Sequence, residues 1–310
     1  MKKMRIYLTG GRGMVGRNFI EHINACEHEI YAPTSQDIDL RNYDAVYKSI
    51  VEFKPDIVLH CAGKVGGIQA NIREPVRFLL DNLDMGRNIL WASYKAGVQK
   101  LLNMGSSCMY PRDAVNPLCE KNILKGELEP TNEGYALAKA TTARFCEYIG
   151  REHADFSYKT LVPCNIYGRY DKFDPKNSHM IPAIICKLHN ANIKSEDTVD
   201  IWGDGLAKRE FMYAGDLADC MWRCIEHFEA MPQNMNAGLG FDYTVNEYYR
   251  VAAKIVGFSG KFTHDLTKPV GMQQKLVSIE LLKAWGWQAK TTLHDGLKQT
   301  YSYYLKEVVQ

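Results

Sequence analysis

A short strand-like run, Arg-Ile-Tyr-Leu-Thr at 5–9, gives way at once to Gly10-Gly11-Arg12-Gly13-Met14-Val15-Gly16, and an amphipathic stretch follows. Glycines at 10, 13 and 16 between a strand pattern and a helix pattern leave few folds open. The first permits a tight turn, the second brings backbone close to a bound group, and the third lets helix and strand touch. The free N–H groups of the helix N-terminus then face an anion such as a pyrophosphate. The spacing alone would also serve a plain tight turn. Its place after a strand and before a helix argues for a dinucleotide loop.

The pattern is repeated down the first half of the chain. Strand-like runs are predicted at 5–9, 29–32, 56–61, 100–105 and 159–163, and helical patterns at 15–26, 44–53, 74–96 and 132–152. Such alternation predicts an α/β fold of Rossmann type, a doubly wound parallel sheet. Binding and reacting groups then belong at the carboxyl ends of strands, where Gly10, His60, Ser106 and Asn165 fall. After residue 168 the alternation fades into polar loops (169–178, 190–200) and helical patterns at 181–188, 217–229 and 245–256. We read 1–168 as the dinucleotide-binding domain and 169–310 as mainly a smaller C-terminal substrate-binding region, with the chain crossing between the two.

Composition narrows the function. The net charge of the 310 residues is +2, which gives no electrostatic case for nucleic acid or an anionic membrane. No apolar run approaches the roughly 20 residues of a membrane span. Met1–Arg5 leads directly into the first strand pattern with no export-type apolar core. The nine cysteines are scattered without a CxxC pair, which suits free thiols in a reducing cytoplasm and no metal site.

Chemistry enters with Tyr135-Ala136-Leu137-Ala138-Lys139 and Ser106-Ser107-Cys108-Met109-Tyr110. A Tyr and a Lys four apart share one helix face. An ammonium beside a phenol favours the phenolate and is expected to lower the Tyr135 pKa. A Ser hydroxyl on the same carbonyl oxygen completes a device for proton transfer to oxygen while a hydride moves on carbon. The second strand pattern ends Ala32-Pro33-Thr34-Ser35-Gln36, with no acid to hold a ribose diol until Asp37. Arg12 in the glycine loop is placed to pair with a 2′-phosphate, so NADP(H) is the expected cofactor.

With the glycine loop, Ser106 and Tyr135/Lys139 in that order, the chain resembles the extended short-chain dehydrogenase/reductase family, and within it the GDP-L-fucose synthase group. The segments carrying the narrower resemblance are Ala62-Gly63-Lys64-Val65-Gly66-Gly67-Ile68, Gly105–Pro111, Pro163-Cys164-Asn165-Ile166-Tyr167-Gly168, Asn177-Ser178-His179-Met180-Ile181-Pro182, Trp202-Gly203-Asp204-Gly205 and Arg209-Glu210-Phe211. A weaker echo follows at Lys268-Pro269 and Trp285-Gly286-Trp287.

That group epimerises a GDP-4-keto sugar at C3 and C5 and reduces its C4 ketone with NADPH. The resemblance implies Tyr135 as proton donor, Lys139 as its modulator and a ribose contact, and Ser106 as partner on the carbonyl. It makes Cys108 and His179 the proton-exchanging pair. In an extended segment Cys108, two residues past Ser106, would point the same way. Alone, Cys108 reads equally well as an inert buried thiol and His179 as a structural histidine.

For the cofactor the resemblance implies residues 10–16 with Asp39, Leu40, Ser107, Lys139, Pro163, Asn165, Ile166 and His179. For the GDP-sugar it implies Asn165, Lys187, Trp202 and Arg209. It also implies a homodimer built on the helices at 74–96 and 132–152.

The chain departs from the group after Lys268-Pro269. The run Val270-Gly271-Met272-Gln273-Gln274-Lys275 replaces an acid and a small-residue segment. A remodelled pocket would suit a GDP-4-keto heptose or 6-deoxy-heptose reduced without epimerisation. A dehydratase of the wider family would want a Glu where Cys108 stands, a 4-epimerase would hold NAD tightly, and a non-catalytic NADP-binding module would have no need of Tyr135 or Lys139.

Overall fold

The structure, a computed structural model, describes residues 3–174, 178–268 and 272–309. Its strands in chain order are β1 (Arg5–Thr9), β2 (Glu29–Tyr31), β3 (Ile57–His60), β4 (Lys100–Met104), β5 (Ser157–Pro163), β6 (Asn165–Tyr167) and β7 (Thr198–Trp202). They continue as β8 (Lys208–Arg209), β9 (Phe211–Tyr213), β10 (Asn234–Ala237), β11 (Tyr243–Thr244), β12 (Lys261–Asp265) and β13 (Gln274–Lys275). The helices are α1 (Met14–Ile20), α2 (Tyr43–Phe53), α3 (Ile68–Arg73), α4 (Pro75–Lys95) and α5 (Glu133–Glu152). After them come α6 (Met180–Ile193), α7 (Ala214–Glu226), α8 (Val245–Val256), α9 (Glu280–Ala284) and α10 (Leu293–Glu307).

Six strands make one parallel sheet in the order β2-β1-β3-β4-β5-β10. Side chains alternate across it, and both sides are apolar because helices cover both faces. Tyr7, Val58, Leu101 and Tyr158 meet Val46 and Ile50 of α2, Ile89 of α4 and Ile149 of α5. Ile6, Leu8, Ile57, Leu59 and Leu102 point the other way, into a cluster with Phe19 of α1 and Leu217 and Trp222 of α7. There Phe19 and Trp222 stack with centroids 4.3 Å apart, and the indole N–H donates to the Phe19 carbonyl at 3.1 Å. The doubly wound parallel sheet is thus the one expected.

Two helical patterns break where local chemistry wins. The stretch 15–26 is helical only to Ile20, because extended His22 caps a separate 3₁₀ turn, Ile23–Glu27, by accepting the Asn24 N–H. The stretch 74–96 starts at Pro75, which sits at the helix N-terminus and keeps Glu74 out of helical geometry. A separate helix, α3, precedes it. α4 and α5 lie close because Gly86 has no Cβ to strike the Thr142 side chain.

Beyond residue 168 a second cluster joins α6, α8 and α10, with Ile184, Leu188, Tyr248, Ala252, Leu297 and Tyr304 at its centre. Small parallel pairs, β6 with β9 and β7 with β12, lie beside it. α8 opens on a capping box in which Thr244 and Glu247 satisfy each other's backbone N–H, and ends at Gly257 with φ +84°. α7 and β10 return to the main sheet, β10 pairing with β5 from Asn234↔Thr160 to Ala237↔Pro163. Among the described residues no helix is long and apolar enough to cross a membrane.

Candidate active site

The glycine loop leaves β1 at the point where β2 lies on one side of that strand and β3 on the other, the switch point where open α/β sheets bind ligands. Gly10 has φ +75°, and a Cβ there would lie 2.7 Å from the Ala62 nitrogen. A Cβ on Gly16 would strike the Gly10 carbonyl. These two positions admit only glycine, and they hold the loop against the segment after β3. Thr9 Oγ1 accepts the Ala62 N–H at 3.1 Å and bonds His60 Nδ1 at 2.9 Å. Burial drives the His60 pKa down to about 3, so it acts here as a neutral strut.

The amides of Met14, Val15 and Gly16 form the first turn of α1, whose N-terminal N–H groups lack intrahelical partners. With Gly11 they form a cradle that fits a diphosphate, closed by the Gly13 N–H donating to the Gly10 carbonyl at 2.9 Å. Arg12 is exposed. The Asp37 carboxyl is held below its usual range by the Thr34 N–H and hydroxyl, each at 2.8 Å, and more weakly by the Arg12 charge. Arg12 and the Thr34–Asp37 turn therefore border the same space. Asp39 is clamped by the Arg41 guanidinium at 2.9 and 3.0 Å, and the Leu40 carbonyl accepts from Asn88 at 3.0 Å.

At the end of β4 the chain turns through Ser106 into a 3₁₀ turn, Ser107–Met109. This corrects the extended segment expected there. Ser106 and Cys108 are brought together by the turn itself, the Ser106 hydroxyl accepting the Cys108 N–H at 3.3 Å. Ser107 is buried beneath them. Tyr135, in the first turn of α5, hydrogen-bonds Ser106 and lies close to Cys108.

The Tyr135 pKa is raised, not lowered as the Tyr–Lys spacing predicted. Burial is the largest cause and the neighbouring Cys108 adds to it, while the Ser106 hydrogen bond opposes. The Lys139 ammonium is drawn away to the Met104 carbonyl at 2.8 Å, near Cys61. Burial brings its pKa down to about 8.

Cys108 is half-buried and stands apart from Cys61, Cys146 and Cys164, which burial pushes up. Burial pushes it up, but the Lys275 charge and hydrogen bonds from Ser106, Lys275 and Asn132 outweigh this and leave it below its ordinary value. Lys275 Nζ donates to Sγ at 3.4 Å and Asn132 Nδ2 at 3.1 Å.

Of the remaining predicted residues, Pro163 ends β5, and Asn165 and Ile166 open β6. The Asn165 amide donates to the Glu210 carbonyl at 3.0 Å. His179 caps α6, with Nδ1 3.7 Å from an Asp171 carboxylate whose side chain is 4% exposed. Lys187 is engaged by Asp200, at 2.8 Å to the carboxylate and 2.6 Å to the carbonyl. Trp202 is 51% exposed, with Lys268 Nζ 5.7 Å over its ring. Arg209 donates to the Lys208 carbonyl at 2.8 Å, and burial lowers its pKa. Asn177, Pro269 and the first two residues of the divergent run, Val270 and Gly271, lie outside the described residues.

Sequence reasoning missed three residues around this site: Lys275, Asp171 and Glu210. The Glu210 side chain is wholly buried and accepts N–H groups from Leu239 (2.5 Å), Gly240 (3.0 Å) and Val277 (2.9 Å). A lone acid before the apolar run Phe211-Met212-Tyr213 was the one local signal for it. Lys275 was marked only by its place in the divergent run, and Asp171 carried no signal.

The half-buried Tyr135, Ser106 and Cys108 with buried Lys139, beside a glycine-loop cradle on a doubly wound sheet, define a dinucleotide-dependent enzyme acting on a carbonyl or carbinol. Residues 6–238 match the NAD dependent epimerase/dehydratase family, and the chain belongs to it. It is 52% identical over 304 residues to a GDP-L-colitose synthase of Yersinia pseudotuberculosis, covering 98% of this chain and 99% of that protein. It is 49% identical over 304 residues to a GDP-L-fucose synthase of Azorhizobium caulinodans, covering 98% and 97%. Among solved structures it superposes with a TM-score of 0.91 on a GDP-6-OMe-4-keto-L-xylo-heptose reductase from C. jejuni, 29% identical, with 98% of each chain covered. For a GDP-mannoheptose C4 reductase from Campylobacter jejuni with NADP bound, the TM-score is 0.89 at 30% identity, with 98% of this chain and 99% of that one covered.

Proposed function

We propose that this enzyme reduces the C4 ketone of a GDP-4-keto-(6-deoxy) sugar with NADPH and inverts the flanking C3 and C5 centres in the same site. The observation that carries the reading is the convergence of Tyr135, Ser106 and Cys108 in one half-buried cluster beside the β4 carboxyl end. The full-length relatives named for GDP-L-fucose and GDP-L-colitose support the substrate class.

Residues 10–16 would hold NADPH, with Arg12 available for its 2′-phosphate and Asp39, Leu40, Ser107, Lys139, Pro163, Asn165, Ile166 and His179 lining the rest of the cofactor site, and the bound cofactor would supply a hydride for C4. The enzyme's own part is to hold and move protons. Tyr135 and Ser106 bind the C4 oxygen, and Tyr135 donates its proton as that oxygen becomes a hydroxyl. A phenol kept protonated by burial is in the right state for that donation. The same two hydrogen bonds stabilise the enolate formed when a neighbouring C–H proton leaves. Cys108 and His179 exchange that proton, with Asp171 orienting the imidazole. Asn165, Lys187, Trp202 and Arg209 bind the GDP-sugar, Trp202 giving its face to the base or sugar and the cations serving the diphosphate.

Residues 1–168, with the returning α7 and β10, serve the dinucleotide, and most of 169–310 serves the substrate. The protein works in the cytoplasm as a homodimer whose two-fold runs through α4 and α5. Support for that face comes from Val76 (66% exposed), Leu80 (48%), Trp91 (40%) and Tyr148 (55%) on these two helices.

The names of the heptose reductases favour a second reading, C4 reduction of a GDP-4-keto heptose without epimerisation. One incubation separates the two. The protein, NADPH and GDP-4-keto-6-deoxy-mannose are mixed in deuterated buffer, and NADPH loss and deuterium in the product are followed. Deuterium at C3 and C5 together with NADPH loss establishes epimerase and reductase; NADPH loss alone leaves a C4 reductase; no NADPH loss moves the substrate to the heptoses.

A further inference from the structure

We propose that Lys275 is a positioning residue for the proton exchange, its ammonium holding Cys108 as the thiolate that serves as the base. The inference rests on the epimerase reading above and deepens it. A thiol removes a carbon-bound proton only as thiolate, and a free thiol near neutral pH is mostly protonated. Lys275 Nζ sits 3.4 Å from Sγ, and the Asn132 amide donates to the same sulfur at 3.1 Å. Among the described residues no carboxylate pairs with Lys275, so its charge is not spent elsewhere.

The placement is built from both sides. Leu118 donates to the Leu276 carbonyl at 2.8 Å and Ser278 to the Leu118 carbonyl at 2.9 Å, while Leu276 donates to the Asn116 side chain at 2.8 Å. On the other side Lys208 donates to the Gln273 carbonyl at 2.8 Å, and buried Glu210 takes the Val277 N–H at 2.9 Å. The chain on both sides of the short strand β13 is thus fastened, at 273 before it and at 276, 277 and 278 after it, and Lys275 is the strand's last residue.

The groups that face the thiol are Lys275 from β13, Tyr135 from α5, Asn132 just before α5, and Ser106 from its own turn. The Lys275 charge also reaches Cys164, where burial and Glu210 hold the thiol well above its ordinary value. Cys108 is therefore the thiol that Lys275 activates. In the step itself the C–H bond next to the ketone breaks, and its proton goes to Sγ. The electron pair moves onto the C4 oxygen as an enolate held by Tyr135 and Ser106. A proton delivered to the opposite face restores the ketone.

The test needs no sugar at first. Wild type, Lys275→Met and Lys275→Arg are alkylated with iodoacetamide from pH 5.5 to 9.5, and the Cys108 and exposed Cys26 peptides are quantified in the same digest. Wild-type Cys108 is expected to react with a midpoint below the free-thiol value of about 8.5. Lys275→Met should raise that midpoint by about 1 unit or more, Lys275→Arg should restore it, and Cys26 should not move. In deuterated buffer, exchange into the sugar at pH 7 should fall at least about tenfold in Lys275→Met and recover toward high pH.

A Cys108 midpoint unchanged in a folded Lys275→Met protein would overturn the proposal. So would a wild-type midpoint at or above the free-thiol value, which needs no variant to fold. Absence of exchange in the wild type would remove the base role along with the epimerase reading, while the alkylation profile decides separately whether Lys275 holds the thiolate.

Discussion

Glu210 makes the stability of this enzyme fall as pH rises through the neutral range. Burial carries its carboxyl from 4.5 to about 7, against the pull of the Val277, Gly240 and Leu239 amides. Between those values the folded protein keeps a proton that the unfolded chain has lost. Stability is therefore full below 4.5, declines as pH climbs, and levels off above 7. One pKa unit is worth about 1.4 kcal/mol, so the whole effect is about 3 kcal/mol, of which about 2 kcal/mol falls between pH 5.5 and 8.

Glu210→Gln removes the titration and leaves a fixed cost of about 1–3 kcal/mol, because an amide N–H now meets backbone donors. Urea unfolding followed by tryptophan fluorescence at pH 5.5 and 8 measures both. The variant should be clearly weaker than wild type at pH 5.5, and the gap should close by about 2 kcal/mol at pH 8. A gap that stays constant would show that Glu210 is ionised throughout, and that the three amides overcome burial.

Three shorter predictions accompany it. Tyr135→Phe should lower turnover by about 10²–10⁴-fold while NADPH fluorescence titration still shows binding, since only the proton donor is lost. Gly16→Ala places a Cβ against the Gly10 carbonyl and should weaken NADPH roughly tenfold or more with the circular dichroism spectrum unchanged. If the proposed dimer forms through α4 and α5, Leu80→Asp on the exposed face of α4 should make the protein monomeric in light scattering; a dimer that persists in the variant would move the interface elsewhere.

The parts of this fold legible in the sequence were those encoded by neighbours along the chain. The glycine loop, the alternation that builds the sheet, and the placing of Tyr135 and Lys139 on one helix all depend on spacings of two to four residues. The state of Tyr135 was not legible, because burial is set by what packs above it and Lys139 is claimed by the Met104 carbonyl. Lys275 stands 167 positions from Cys108, and its neighbours marked it only as part of a divergent run. The Asp171–His179 pair is closer in sequence, yet loop geometry decides it. Contacts of this kind come from tertiary placement, which no local pattern announces.

The return of β10 to the main sheet has a practical consequence. A fragment ending at 168 would contain every glycine-loop and Tyr135 residue, yet it would leave β5 with one bare edge and Phe19 without Trp222 above it. An unpaired, apolar central strand invites other chains to complete it. Attempts to express the nucleotide-binding half by itself should yield inclusion bodies rather than a soluble module, and a soluble split protein would have to carry 211–237 along with the first piece.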